Sequence, residues 1–443
     1  MSFFTRPHRH SSRKIGPDHP LSGKVVYIPT MGEGSPEAFA AAFRWLGVNA
    51  EPTPPSDVRT RELGGKYTTG DECYPAKVTV GDFLRVMELP GFNPEKTAFF
   101  MPTAEGPCRF GQYAPFLRKI LRDAGWDNVQ VLSPSSRNGY GDLGDIANPF
   151  MRTAWRALVS ADTIHRALLK TRPYETTPGA ADHAFQESLA DVVKTIVDSC
   201  SDEMCQLESM VEAMVRSRER FKSVPALYDR EIPLIGVVGE IFCRLNTFSN
   251  EDLIRKLEGY GAEACLSHIS EWVDYTNNEQ KRKLHLRGRD ISLAMGKAYI
   301  RSYIQHADEH ALIAPFATEF AGYEEPPIEE VLELAHPYLP SGGALGEMVL
   351  SVGKAAYLAK HGADGIIDIS PFTCMNGIVT EAVYPKLSKA YGGIPIRNFY
   401  FDGTQADLDR DLGIYMELAR SYREKKPYER KFPAYFANAN AGA

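Results

Sequence analysis

The sequence predicts an α/β fold with two parallel-sheet domains, a helical connector between them and a helical insertion in the second. Three observations predict it. Short apolar runs rich in β-branched residues alternate with helical segments in two separate stretches, the pattern of parallel strands covered by helices on both faces. Between those stretches, from Met151 to Lys222, strand signals give way to charged helical periodicity. The 443 residues also exceed the roughly 250–300 at which single cores stop growing.

The elements follow in order. Met1–Pro20 carries Arg6, Arg9, Arg13 and Lys14 but no apolar h-region, so residues 1–22 read as a flexible tail and not as a secretory signal. His8, His10 and His19 fall in this tail and are expected to be solvated. The N-terminal domain, residues 23–150, has strands at Lys24–Pro29, Thr97–Met101 and Asn128–Leu132. Its helices are at Pro36–Leu46, Pro75–Glu88 and Gln112–Ala124. The connector spans residues 151–230, with Pro225 and Pro233 bracketing its end. The C-terminal domain, residues 231–443, has strands at Pro233–Ile241, Ala264–His268, Gly365–Ile369 and Ile394–Phe401. Its helices are at Asn250–Gly259, Leu345–Lys360, Gly377–Ala390 and Ala406–Arg423, with an insertion at about 272–340. Ser249 or Asn250 caps the first of these helices. The two halves look alike in type without a sequence repeat.

Composition narrows the function. A net charge of −7 argues against general nucleic-acid binding. No apolar run approaches the ~20 residues of a membrane span. Seven cysteines without a signal peptide are not a disulfide framework, and a reducing cytoplasmic setting is expected. Such cysteines are buried fillers, metal ligands or nucleophiles.

Three of them share a local setting. Cys73 lies in DECYPAK, where Pro75 suits a first helical turn. Cys73 is thus expected at a helix N-terminus, which favours a thiolate. Cys108, in GPCRFGQY, and Cys374, in PFTCMNG, lie in loops that follow strands. In doubly wound sheets that edge is where ligands bind. The spacing matches neither a ferredoxin run nor a zinc finger. On local chemistry the three are either buried small hydrophobes or one ligand set. Cys200 and Cys205, five apart on an expected helix, fall about 140° apart and do not share a face. Cys265 lies inside a strand and is expected in the core. Cys243 follows a strand end and is a competing fourth ligand.

Four segments, GDECYPAKVTVGDFL, MPTAEGPCRFGQY, GEIFCRLNTFSNEDLIRKLE and GADGIIDISPFTCMN, resemble the 2-hydroxyacyl-CoA dehydratase and benzoyl-CoA reductase component family. The resemblance is strongest to its activase-related branch, the acyl-CoA dehydratase activase-related proteins. It runs from about Lys24 to Arg420 and is weakest between Met151 and Pro233. It implies two Rossmann-like or flavodoxin-like domains with a 4Fe–4S cluster between them, held by Cys73, Cys108 and Cys374. The sequence departs from the family at Asn376, where proline is usual, at Cys243, where relatives are aliphatic, and in FDGTQADLD, where Asp402 and Gln405 keep part of an acidic segment.

Three thiolates on a cubane leave one iron open. In the related dehydratases a separate ATP-hydrolysing iron–sulfur activator injects an electron, and the acyl thioester becomes a ketyl radical anion that loses hydroxyl. The resemblance therefore implies a lyase or reductase acting on an acyl-CoA-like or other small molecule, with that activator as partner and a dimer of like or unlike chains as its assembly. Two readings of other kinds stand beside it: a non-catalytic electron-transfer or scaffold protein, and a double-cubane small-molecule reductase. GxxxxGK[ST] is absent, and Ser341–Gly346 (SGGALG) is either a phosphate cradle or an ordinary turn. Glu240 and Arg109 are the catalytic candidates. Glu240 is expected in the crevice or as a structural carboxylate, and Arg109 beside a cluster sulfur, a substrate anion or the surface. Lys77, one helical turn from Cys73, is expected near the cluster charge.

Overall fold

The computed structural model describes residues 14–104, 106–135, 141–228, 232–322, 324–340, 342, 346–404 and 407–431. Most of the Ser341–Gly346 loop, Gln405, and His8 and His10 of the N-terminal tail lie outside these residues.

The chain is α/β, with two four-stranded, all-parallel sheets amid many helices. The first sheet contains β1 (Val25–Ile28), β2 (Asn49–Pro52), β3 (Thr97–Phe100) and β4 (Gln130–Leu132), in the order β2-β1-β3-β4. Its helices are α1 (Ser35–Trp45), α2 (Val58–Tyr67), α3 (Tyr74–Met87) and α4 (Tyr113–Asp123). Three helices follow: α5 (Ala147–Thr171), α6 (Ala180–Asp198) and α7 (Glu203–Ser223). The second sheet contains β5 (Leu234–Gly239), β6 (Glu263–Leu266), β7 (Gly365–Pro371) and β8 (Ile396–Phe401), in the order β6-β5-β7-β8. Around it lie α8 (Ile241–Leu245), α9 (Leu253–Gly259), α10 (Ile269–Leu286), α11 (Leu293–Ile313), α12 (Ile328–Ala335), α13 (Glu347–Lys360), α14 (Met375–Ala390) and α15 (Leu408–Arg423).

Both sheets therefore share one strand order, that of the first four strands of a flavodoxin-like sheet. In each the chain reverses its direction of growth between the first and third strands, and a crevice opens there at the carboxyl ends. The central strands are the most apolar. LIGVVG of β5 and GIIDISP of β7 are buried throughout, as expected of strands covered on both faces. Gly239 ends β5 at φ 121°, and a Cβ there would lie 2.1 Å from the Ile369 carbonyl oxygen, so only glycine lets β5 run this close to β7.

The long helix α5 sits between the halves, packed on α1, on β6 and on α11. Its polar groups are buried in pairs. Lys170 Nζ lies 2.9 Å from Glu263 Oε1 on β6, and the Tyr174 hydroxyl donates to Glu263 Oε2 at 2.7 Å. Arg156 holds Asp308 of α11 through Nε and Nη2 at 2.8 and 3.0 Å. Burial this deep keeps charge only where it is paired.

Two local expectations change. The edge strand β2 and the helix α2 were not expected. The sequence of β2 is NAEP, with a single buried residue, so no apolar run announces it. Cys200 and Cys205, expected on different faces of one helix, are joined by a disulfide with Cα atoms 6.2 Å apart. The reason is that α7 begins only at Glu203, so Cys200 lies in the preceding turn and helical spacing does not apply.

Candidate functional site

A cavity of about 420 Å³ opens at the carboxyl ends of both sheets. Each switch point contributes wall. Ile28 ends β1 and Pro29 and Met31 follow it, and Met101, Pro102 and Cys108 follow β3. Glu240 and Ile241 follow β5, and Thr373 and Cys374 follow β7. The topology thus brings two crevices face to face, and Cys73, Cys108 and Cys374 all line the joint space.

Each cysteine gets there by capping a helix or turn. Cys73 is the N-cap of α3, with φ −68° and ψ 156°, and Tyr74–Pro75 starts the helix where proline costs no hydrogen bond. Cys374 is the N-cap of α14. Cys108 caps the short turn Arg109–Gln112, and its sulfur accepts from the Phe110 N–H at 3.5 Å. The residue before Cys374, Thr373, is a non-glycine at φ 63°, a left-handed conformation that costs roughly 1–2 kcal/mol. Cys73 Sγ lies 2.7 Å from the Tyr113 hydroxyl.

Two carboxyl groups share this space. Glu240 caps α8, accepting from the N–H groups of Phe242 at 3.1 Å and Cys243 at 2.8 Å. Glu347, at the start of α13, accepts from the Ile241 N–H at 2.8 Å. Asn376 Nδ2 donates to Glu347 Oε2 at 3.3 Å, so the asparagine after Cys374–Met375 ties α14 to α13. Glu347 was not singled out from the sequence. Its signal was available, because an acid opening a helix after a glycine-rich loop is placed to face a crevice.

Electrostatics in the cavity disfavour bare anions. Burial, first of all, raises the thiol of Cys73. It pushes that of Cys108 up to about 11 and that of Cys374 up to about 12, with Glu240 and Glu347 adding to the last two. Burial likewise raises Glu240 and pushes Glu347 up to about 8. Desolvation thus outweighs the helix N-termini at α3 and α14. Among the described residues Arg109 is the one cationic side chain in the wall. Its Nη1 donates to the Asp71 carbonyl at 2.7 Å, which pins the Cys108 turn to the loop before Cys73.

The remaining candidates do not line the cavity. Cys243 is fully buried, yet close enough to Glu240, Cys73 and Cys374 that their charges add to burial in raising its thiol. Cys265 is buried in β6. Lys77, expected near the cysteines, runs along α2 instead, its methylenes against Gly64 and Gly65. The cause is the close crossing of α2 and α3, which turns this face of α3 away from the cavity.

The donor set suits a polynuclear cationic group. It offers three thiols from three separate loops, in a largely apolar space open to solvent at the exposed Cys108, where a bound cation would favour their ionised form. The three sulfurs are not all within 4.8 Å of one another, as ligands of one ion would be. Among the described residues only Asp274, His306 and Glu309 meet that distance. Thiolates on the corners of a cluster bind different metals and so stand apart. No protein-family model and no curated protein matches this chain. Among the described residues no helix is long and apolar enough to cross a membrane.

Proposed function

We propose that this chain is an iron–sulfur protein in which Cys73, Cys108 and Cys374 hold a 4Fe–4S cluster. We further propose that it works as a component of an acyl-CoA dehydratase- or reductase-type system driven by a separate ATP-hydrolysing activator. The observation that carries the reading is that Cys73, Cys108 and Cys374 line one cavity at the carboxyl ends of two like sheets. The segment resemblance to the dehydratase family supports the substrate class.

A cluster held by three thiolates supplies low-potential single electrons and an iron that keeps Lewis acidity. The chain's own residues do the rest. Phe39, Phe100, Phe110 and Trp272 give the cavity apolar walls, which strengthens the action of charges in its depth. Burial and the neighbouring Glu240 push the Glu347 carboxyl up to about 8, which favours its protonated form, and on this reading it is the acid that protonates a departing hydroxyl. Glu240 and Asn376 fix its surroundings. Arg109 locks the loop bearing Cys108 to the loop bearing Cys73.

A cavity of about 420 Å³ falls in the range of small-molecule sites, about 300–1,000 Å³. A double cubane needs further cysteines in the wall, and among the described residues Cys73, Cys108 and Cys374 are the cysteines there. The experiment is EPR of the anaerobically reconstituted, dithionite-reduced chain with and without a short acyl-CoA. A spectrum changed by the thioester supports the proposal. An identical spectrum with saturating thioester would reduce the chain to an electron carrier.

A further inference from the structure

A second group of metal-binding side chains lies outside the cavity. Asp274 of α10 and His306 and Glu309 of α11 bring one ligand atom each within 4.8 Å of the others. The sequence explains the geometry. His306 and Glu309 are three apart and share one face of α11, and α10 packs alongside that helix. Two of the three already touch. His306 Nδ1 pairs with Glu309 Oε2 at 3.4 Å, a long contact for an N–H···O bond that raises the imidazole. Among the described residues no group donates a hydrogen bond to the Asp274 carboxylate. The surroundings add negative charge. Glu325 and Glu329 act on Asp274 as well as Glu309, and burial together with these neighbours pushes the Asp274 carboxyl up to about 7. Lys281 is the cationic neighbour felt by His306.

We propose that Asp274, His306 and Glu309 bind one divalent first-row transition ion, which staples α10 to α11. One imidazole and two carboxylates suit ions of the Mn²⁺, Fe²⁺ or Zn²⁺ kind, with water completing the shell. A bound cation would take the place of the protons that now relieve the repulsion between these carboxyl groups, and His306, exposed at the surface, gives that cation an entry path. The consequence reaches the cavity. Ile269, Trp272 and Val273 of α10 form part of its wall, so an ion on the other side of α10 braces that wall. This site is independent of the cysteines and of the function proposed for them.

The test uses Mn²⁺, which thiolates bind poorly, added to the metal-stripped full-length chain and followed by the EPR signal of the free ion. A single Mn²⁺ should bind per chain. Asp274→Asn and His306→Ala should each weaken it by at least about tenfold. The triple variant Cys73→Ser, Cys108→Ser, Cys374→Ser should bind as the parent does. His306 is exposed, so its replacement leaves the fold intact by far-UV circular dichroism, and Zn²⁺ should raise the melting temperature of the parent but not of His306→Ala. Absence of Mn²⁺ binding, or binding unchanged in folded His306→Ala, would overturn the proposal. So would binding lost only in the cysteine variant, which would put the ion in the cavity.

Discussion

The sulfur of Cys73 and the hydroxyl of Tyr113 lie 2.7 Å apart, joining the N-terminus of α3 to the first residue of α4. Tyr113 is buried and packs edge-on against Phe110 at 5.2 Å between centroids. Its hydroxyl is therefore held at this sulfur by its neighbours. Hydrogen bonds to cluster sulfurs raise reduction potentials. Tyr113→Phe should leave iron content unchanged and move the midpoint of the reconstituted chain to a more negative value in an EPR-monitored titration. An unchanged midpoint would mean that the hydroxyl serves packing alone.

Cys243 is the test of which sulfurs matter. It is fully buried and outside the cavity wall, yet near enough to Cys73 and Cys374 for their charge to add to burial in raising its thiol. Cys243→Ala removes one buried sulfur, at a cost of about 1 kcal/mol, and should keep its iron. Loss of iron in this variant would close the fourth ligand position and favour electron transfer over catalysis.

The α2–α3 crossing sets the direction of α3 and so the position of Cys73. A Cβ on Gly81 would meet the Thr60 carbonyl oxygen at 2.0 Å, and one on Gly64 the Lys77 carbonyl oxygen at 2.0 Å. Neither helix can yield without moving the other. Gly81→Ala should destabilise the chain by about 1–3 kcal/mol in urea unfolding and lower iron retention, because it shifts the helix that Cys73 caps. Full iron retention would separate that crossing from the site.

Asp82 gives a pH dependence at the same crossing. It is fully buried and accepts from Ser56 Oγ and Thr60 Oγ1, both at 2.9 Å. Burial pushes its carboxyl up to about 7 from an ordinary value of 3.8, against the pull of those two hydroxyls. A group raised on folding contributes stability that is complete below its unfolded value and lost as pH rises through its folded one. Apo-protein stability should therefore fall between about pH 4 and pH 7. Asp82→Asn should flatten that slope in urea midpoints taken across the range, and an unaltered slope would assign it to other groups.

Much of the fold was legible because its core strands are uniform apolar runs. PLIGVVGEI and GIIDI announced β5 and β7, and both helical stretches showed in their periodicity. The strand β2 was not legible, because an edge strand of sequence NAEP buries one residue and has no pattern to detect. Cys73, Cys108 and Cys374 stood out by their places beside strand ends and helix starts, and the fold sets all three at one cavity. What the sequence could not convey was distance. Nothing in it put Glu347 beside Glu240, Tyr113 at Cys73, or Asp274 across from His306, since each pair joins elements whose packing is set by the whole tertiary fold. Lys77 shows the same limit from the other side: one helical turn from Cys73 along the chain, it points to α2 because glycines there leave it room.

The central claim is tested most directly by counting iron and acid-labile sulfide in anaerobically reconstituted chains: the parent, Cys73→Ala, Cys108→Ala, Cys374→Ala and Cys265→Ala. The account predicts about four of each per chain in the parent. It predicts the same in Cys265→Ala, and a sharp loss in each of the other three. A parent that takes up no iron and sulfide, or cavity-cysteine variants that retain both in full, would contradict it.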